Sequence, residues 1–141
     1  MANFGAWRNG YIGINNVNLS DHAREIALDT GVAELPNDVH GDFASVLTVG
    51  LETWTITATF LQDFAAAKVD ATLSTVFGLG STTPFQIEVG ADATSSVATT
   101  NPRYSGQAIL SSYKPLGGAH GSNLEAQATF KCASRLTRRT S

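Results

Sequence analysis

A chain of 141 residues, 43% hydrophobic and 15% charged, with a formal net charge of −3, is of single-domain size and long enough to bury a core without disulfide or metal staples. The acidic balance excludes a general nucleic-acid binder, which collects Lys and Arg to displace counterions. No apolar run approaches the ~18–20 residues of a membrane helix. The charged fraction lies well below the roughly 25% usual for soluble domains. Thr, Ser, Gly, Asn and Gln supply the polarity instead, as suits a surface that meets copies of itself. The single cysteine, Cys132, permits no internal disulfide and no multi-cysteine metal site. The opening stretch Met1–Asn16 mixes Asn, Gly and Arg with aromatics and shows no secretory signal pattern.

In chain order, Trp7–Ile14 and His22–Asp29 read as strands, the second with Arg24, Ile26 and Leu28 on one face. Gly31–Ala44 reads as a long loop: Gly31, Pro36, Asn37 and Gly41 punctuate it, Glu34, Asp38 and Asp42 make it acidic, and His40 lies among them. Val46–Leu51 leads into the clearest strand, with Gly50 a bend or bulge. In that strand Thr53, Thr55, Thr57 and Thr59 alternate with Trp54, Ile56, Ala58 and Phe60, which separates a threonine face from an apolar face. A helix is expected over residues 63–77, capped by Asp63, carrying Phe64, Ala67, Leu73, Val76 and Phe77 on one face and stopped by Gly78 and Gly80.

Phe85–Val89 and Tyr104–Tyr113 are further strands, separated by an Ala/Thr/Ser-rich loop over Ala91–Pro102. The alternation returns at the end, where Leu124, Ala126, Ala128, Phe130 and Cys132 oppose Glu125, Gln127, Thr129 and Lys131. The tail Arg135–Ser141 carries Arg135, Arg138 and Arg139. The pattern predicts one mainly β domain over 1–141, a sandwich or barrel with one flanking helix.

The residue combinations that could carry chemistry have simpler readings. Ser20-Asp21-His22 contains the residue types of a hydrolytic triad, but consecutive residues cannot adopt the relay geometry, so a turn is expected. His22, His40 and His120 lack metal-ligand spacing. Gly78-Leu79-Gly80-Ser81-Thr82-Thr83 follows a helix and lacks the lysine of a phosphate loop. Asp29, Glu34, Asp38 and Asp42 match no calcium-loop pattern. Cys132 alternates into an apolar face and reads as a core residue. No enzyme, cofactor or metal is expected.

The ordered segments carry more than any single residue. Val17-Asn18-Leu19-Ser20-Asp21-His22 is followed by a strand, the long loop, and Gly50-Leu51-Glu52-Thr53-Trp54. Then come Phe60-Leu61-Gln62-Asp63-Phe64 and the helix, Phe85-Gln86-Ile87-Glu88-Val89, Thr100-Asn101-Pro102-Arg103-Tyr104-Ser105-Gly106, and Tyr113-Lys114-Pro115-Leu116-Gly117-Gly118. Over residues 17–137 this order resembles the major tail tube proteins of long, non-contractile bacteriophage tails. The resemblance implies a virion protein, assembled in the host cytoplasm, whose hexameric rings stack into a hollow tube. DNA would pass through the tube without specific binding, and other tail proteins would be partners.

By position, Gly31–Ala44 would be the inter-subunit loop, with Met1–Asn16 and Arg135–Ser141 as arms. That makes Glu34, Pro36, Asp38, His40, Asp42, Arg135, Arg138 and Arg139 the expected interface residues. A channel that must not grip DNA favours a Thr, Gln and Glu lining, so Thr53, Thr55, Thr57, Thr59, Glu125 and Gln127 are the expected channel face. The competing class is a soluble β-sandwich module binding carbohydrate or protein, which would expose an aromatic platform; a minor tail or capsid decoration protein is a nearer alternative.

Overall fold

The computed structural model describes residues 10–41, 43–45, 47–77, 84–93, 96–99 and 101–140. Its strands are β1 (Tyr11–Ile14), β2 (Val17–Asn18), β3 (Ala23–Pro36), β4 (Leu47–Leu61), β5 (Phe85–Gly90), β6 (Arg103–Gly117), β7 (Glu125–Cys132) and β8 (Thr137–Arg139), with one helix, α1 (Val69–Val76), among the described residues. All strands join a single antiparallel sheet in the order β2-β1-β5-β6-β7-β4-β3, and β8 pairs with β6. The β1–β2 hairpin turns on Asn15 and Asn16, both at positive φ, as a two-residue mirror-image turn requires.

The period-two pattern decides which face is buried. Ile56 lies opposite Phe130, Ala58 opposite Ala128 and Phe60 opposite Ala126. These side chains join Ile12, Ile14, Ile87, Ala108 and Leu110 in the core, where Phe85 and Phe130 meet edge to face with centroids 5.8 Å apart. β3 and β5 are separated by three strands in the sheet order, yet Ile26 and Leu28 of β3 share a groove with Val89 of β5. The sheet therefore curls over its own apolar face, as strand twist favours. α1 closes this face: Val69 and Leu73 are fully buried, the Tyr113 hydroxyl donates to Asp70 at 2.8 Å, and Phe77 packs edge-on against Tyr113.

The helix is shorter than its composition suggests. The Asp63 carboxylate accepts the Ala65 amide at 2.9 Å, and Ala67 adopts φ 60°. This local turn takes the Asp63 side chain out of helix capping, and the helix starts only after Lys68. The Gly78–Thr83 turn lies outside the described residues.

The expected long loop also changes. Gly31–Pro36 extends β3, paired with Leu47–Thr53 of β4, so only residues 37–46 connect the two strands. Gly31, Glu34 and Pro36 were misleading as loop signals because this part of β3 has a strand partner, and a ribbon exposed on both faces needs no apolar alternation. The register slips between Val32 and Glu34, where Gly50 faces Ala33. A Cβ on Gly50 would lie 2.8 Å from the Ala33 Cβ, so the bulge uses the close approach only glycine allows.

Neither expected arm is wholly an arm. Tyr11–Ile14 is a sheet strand with Ile12 and Ile14 fully buried, while residues 1–9 lie outside the described residues. Thr137–Arg139 pairs with Arg103–Ser105, because the backbone of β6 runs past the end of β7 and the tail satisfies its open edge.

Candidate assembly surfaces

The polar face of the sheet is built by register. Thr55, Thr57 and Thr59 stand opposite Lys131, Thr129 and Gln127 on β7, and Leu61 opposite Glu125. On the other side Asp29, Ala27 and Glu25 of β3 face the same threonines, with Gly31 beside Thr53. Thr53, Thr57 and Gln127 are exposed, and Thr55, Thr59 and Glu125 half-buried. All six expected channel residues therefore share one face, away from the core and from α1. Glu25, Asp29 and Glu125 are interspersed with Lys114 and Lys131, and Arg24 pairs with Glu125 at 3.0 Å, so no single-sign field dominates the face.

The second surface is the outer half of the β3–β4 hairpin. β7 pairs with β4 only as far as Thr55, which leaves Gly31–Pro36 and Leu47–Thr53 as a two-stranded ribbon beyond the core. Val32, Leu35, Val39, Phe43, Leu47, Val49 and Leu51 are all exposed here, Leu51 to 84%. An isolated two-stranded ribbon is marginal in water, and this one carries apolar side chains on both faces: Val49 and Leu47 stand beside Glu34 and Pro36, and Leu35 beside Thr48 on the other face. Glu34, Pro36, Asp38 and His40 lie in this exposed region, and Ser45 donates to Asp38 at 3.2 Å; Asp42 lies outside the described residues. The sequence reading makes Gly31–Ala44 a loop and Val46–Leu51 the lead-in to a strand, and only the β3–β4 register pairs the two arms.

Two of the three tail arginines are held by their own chain. Arg135 grips Glu52 at 3.1 and 3.3 Å. Arg139 bonds Glu88 at 3.1 Å, and Arg103 approaches the other oxygen of Glu88 at 3.5 Å while stacking on Tyr11 at 3.9 Å. Glu88 is only 9% exposed, despite standing on the polar face of β5, because these two cations cover it. Arg138 is exposed on β8, opposite Tyr104. No sequence spacing links Glu88 to Arg139; only the sheet order brings them together.

The Ser20-Asp21-His22 stretch forms a different arrangement from a triad. The Ser20 hydroxyl accepts the Ile12 amide at 3.1 Å and donates to the Asn18 side-chain oxygen. His22 lies between two carboxylates, Asp21 at 2.8 Å from Nδ1 and Asp63 at 3.0 Å from Nε2, and so pins the start of β3 to the β4–α1 connection. The hydrogen bond with Asp21 is the main cause raising the His22 pKa above its ordinary 6.5, with Asp63 adding to it against burial. The same bond lowers Asp21, while the Ala65 amide and then His22 lower Asp63.

The sign follows from linkage. The raised imidazole contributes stability below pH 6.5 and loses it as pH rises through its folded pKa. The carboxylates contribute above their ordinary 3.8 and lose it as pH falls. Thermal denaturation is expected to give its highest Tm between those values and to decline on the alkaline side. His22→Ala flattens that alkaline limb and lowers the maximum by on the order of 3 °C; an unchanged alkaline slope in the variant would assign the pH dependence elsewhere. Among the described residues no group of three or more His, Cys, Asp or Glu side chains is arranged to hold a metal ion.

The described residues thus form a curled antiparallel sheet with one covering helix and a two-stranded hairpin whose apolar side chains the core leaves exposed. No protein-family model and no curated protein matches this chain. Solved structures do. A chain of the native gene transfer agent virion is similar with a TM-score of 0.70 at 11% identity, over 92% of this chain and 95% of that one. A chain from the tail of the empty gene transfer agent particle, computed with helical refinement and C6 symmetry, gives 0.64 at 12%, over 82% and 81%. A chain from the sheath–tube complex of PVC, an extracellular contractile injection system, in its extended state gives 0.68 at 11%, over 94% and 89%. At these identities the likeness is one of fold: a mainly β antiparallel sheet with one short helix, shared with chains of gene transfer agent particles and of a contractile injection system.

Proposed function

We propose that this chain is a structural subunit of a tail or injection tube, assembled from rings of identical copies. The observation that carries the reading is the β3–β4 ribbon. It exposes apolar side chains on both faces that the core does not use, on a fold shared with chains of tail and sheath–tube particles. A patch that docks on a different surface of the next copy makes a head-to-tail contact, and such contacts close into rings when the rotation allows. The C6 symmetry of the similar gene transfer agent tail supports six copies per ring.

In this reading the threonine face, Thr53 to Thr59 with Glu125 and Gln127, lines the channel. Its mixed, sparse charge lets a polyanion such as DNA slide without the counterion release that would hold it. Glu34, Pro36, Asp38, His40 and Asp42 belong to the contact with neighbouring copies, and Arg138, exposed on β8, is the tail arginine offered to one. Arg135 and Arg139 act inside the subunit, fixing the last strand. The role is structural and needs no cofactor; the partners are further copies and other tail proteins, and the place is the particle's tail.

Electron microscopy of the purified chain, concentrated or seeded with particles carrying it, is expected to show stacked rings of six-fold symmetry. A protein that stays monomeric under all conditions and never appears in particles would overturn the proposal.

A further inference from the structure

The large apolar side chains that this subunit exposes are not scattered. Among the described residues all of them except Ile109 fall into two groups. One is the outer half of the β3–β4 hairpin. The other gathers Leu61, Phe64, Leu116 and Leu124, with Phe64 59% and Leu116 63% exposed. Register brings these four together. Leu61 ends β4 opposite Glu125, the residue after Leu124, and the Gln62 amide donates to the Leu124 carbonyl at 3.0 Å. The Gln62 side chain donates to the carbonyl of Pro115, next to Leu116, at 2.7 Å. The two groups stand at opposite ends of β4, whose 15 residues run from Leu47 in the hairpin to Leu61. At about 3.3 Å per residue they lie on the order of 45 Å apart. Since β4 is paired with β3 along almost its whole length, the hairpin cannot bend back over the second group of its own copy.

We infer that the Leu61, Phe64, Leu116 and Leu124 end receives the hairpin of a second copy, which makes it the other surface of the head-to-tail contact. The inference rests on the tube reading for the hairpin's role as a contact and adds the place where it docks. Charge complementarity supports it. Residues 31–53 carry Glu34, Asp38, Asp42 and Glu52 and no Lys or Arg. The receiving end is rimmed by Lys68, four residues beyond Phe64, and by Lys114, whose Cε would lie 3.5 Å from a Cβ on Gly117, next to Leu116. Among the described residues neither lysine forms an ion pair. The carboxylates near them are engaged: Asp21 and Asp63 by His22, Glu125 by Arg24, and Asp70 by Tyr113. An acidic apolar end thus meets a basic-rimmed apolar end, and such rim charges set orientation and register. Hairpin against hairpin would instead bring like charges together. The span 31–53 is also of the order of the roughly 20–30 residues a side of a stable interface. Every copy carries both ends, so the contact repeats from copy to copy.

Two variants tested in combination decide it. Phe64→Glu with Leu116→Glu blocks the receiving end and leaves the hairpin intact, whereas Val49→Lys with Leu51→Glu does the reverse. All four positions are exposed, so circular dichroism is expected to keep the parent's strand signal. At concentrations where the parent assembles, each variant alone is expected to sediment as a monomer. Their equimolar mixture is expected to give a one-to-one pair that grows no further, because only one intact hairpin meets one intact end. Normal assembly of the Phe64→Glu, Leu116→Glu chain overturns the inference and leaves the tube reading standing. A mixture without the pair overturns it too, and so does self-pairing of either variant, which points to a contact between like surfaces. A parent that never associates overturns the inference and the tube reading together. Should the Phe64→Glu, Leu116→Glu chain lose its fold, Lys114→Glu decides in its place. That substitution is expected to raise the concentration needed for assembly several-fold at low salt and to lose its effect at high salt; unchanged assembly at low salt removes the charge match and overturns the inference.

Discussion

Joining Val32 directly to Glu52 through an Asn-Gly turn, which removes residues 33–51, is expected to yield a folded, soluble subunit that no longer assembles. Among the described residues, none of the buried hydrophobic side chains that form the core falls within 33–51, so the truncation spares that interior. Val32 and Glu52 are register partners, and Asn-Gly supplies the two positive-φ positions of a tight hairpin turn. The Glu52 carboxylate remains to hold Arg135. The truncation removes the exposed Leu35, Val39, Phe43, Leu47, Val49 and Leu51, the largest concentration of exposed apolar side chains among the described residues.

Thermal denaturation should therefore move by only a few degrees, whereas sedimentation and microscopy should register complete loss of rings and tubes. The free subunit should also be less prone to nonspecific aggregation, since the patch that promotes assembly also promotes sticking. Tubes of normal length from the truncated chain would remove the hairpin from the assembly contact. Failure to fold would mean that the ribbon supports the core in a way its exposure does not indicate; a milder pair, Val49→Lys with Leu51→Glu, separates the two outcomes because it keeps the backbone.

The two strongest period-two runs, Thr53–Leu61 and Leu124–Cys132, were legible in the sequence because each has one face in the core and one in water, so composition alternates as the side chains do. Gly50 as a bulge was legible for a similar reason: a glycine inside a strand pattern needs a cause. The outer half of β3 was not legible. Gly31–Pro36 is exposed on both faces, so nothing alternates, and its partner Leu47–Thr53 could be found only by pairing. The helix start was misjudged because Asp63 has two competing uses, as a helix cap and as partner to His22 and the Ala65 amide, and sequence alone does not rank them. The threonine face could be assembled on paper as far as β4 and β7. Its continuation through Glu25 and Asp29 required the β3 register, and the Glu88–Arg139 contact required the whole strand order. The family resemblance carried the self-assembly reading further than periodicity could, since edge strands and exposed ribbons announce a partner only once they are seen to lack one.

A double substitution at Trp54 and Gly106 is expected to change sign rather than add. β7 ends at Cys132 and β8 begins at Thr137, and the excursion between them is fastened by Trp54, whose indole N–H donates to the Ser134 carbonyl at 2.8 Å. Trp54 lies over Gly106 so closely that a Cβ on Gly106 would be 2.8 Å from its Cζ2, with the Arg135 carbonyl and Ser134 hydroxyl oxygens next at 3.4 Å. The indole is itself 3% exposed and packed in the core, so it cannot swing aside as a flexible chain end would. Gly106→Ala alone is therefore expected to cost about 1–3 kcal/mol by overpacking.

Trp54→Ala removes a large core side chain and opens a cavity, for a loss of about 3–5 kcal/mol. At roughly 3 °C per kcal/mol for a domain of this size, Tm falls on the order of 10 °C. Trp54→Phe keeps most of the packing and loses the hydrogen bond, at about 1 kcal/mol. In the Trp54→Ala background the obstruction over Gly106 is gone and the added methyl enters the vacated space, so Gly106→Ala should become neutral or stabilising. Residues in direct contact are where such coupling is expected, and the cycle isolates it. Denaturant unfolding of the four proteins measures the coupling; strictly additive losses would mean that Trp54 and Gly106 are not packed against each other, and with that the account of how the last strand is fastened to the sheet would fail.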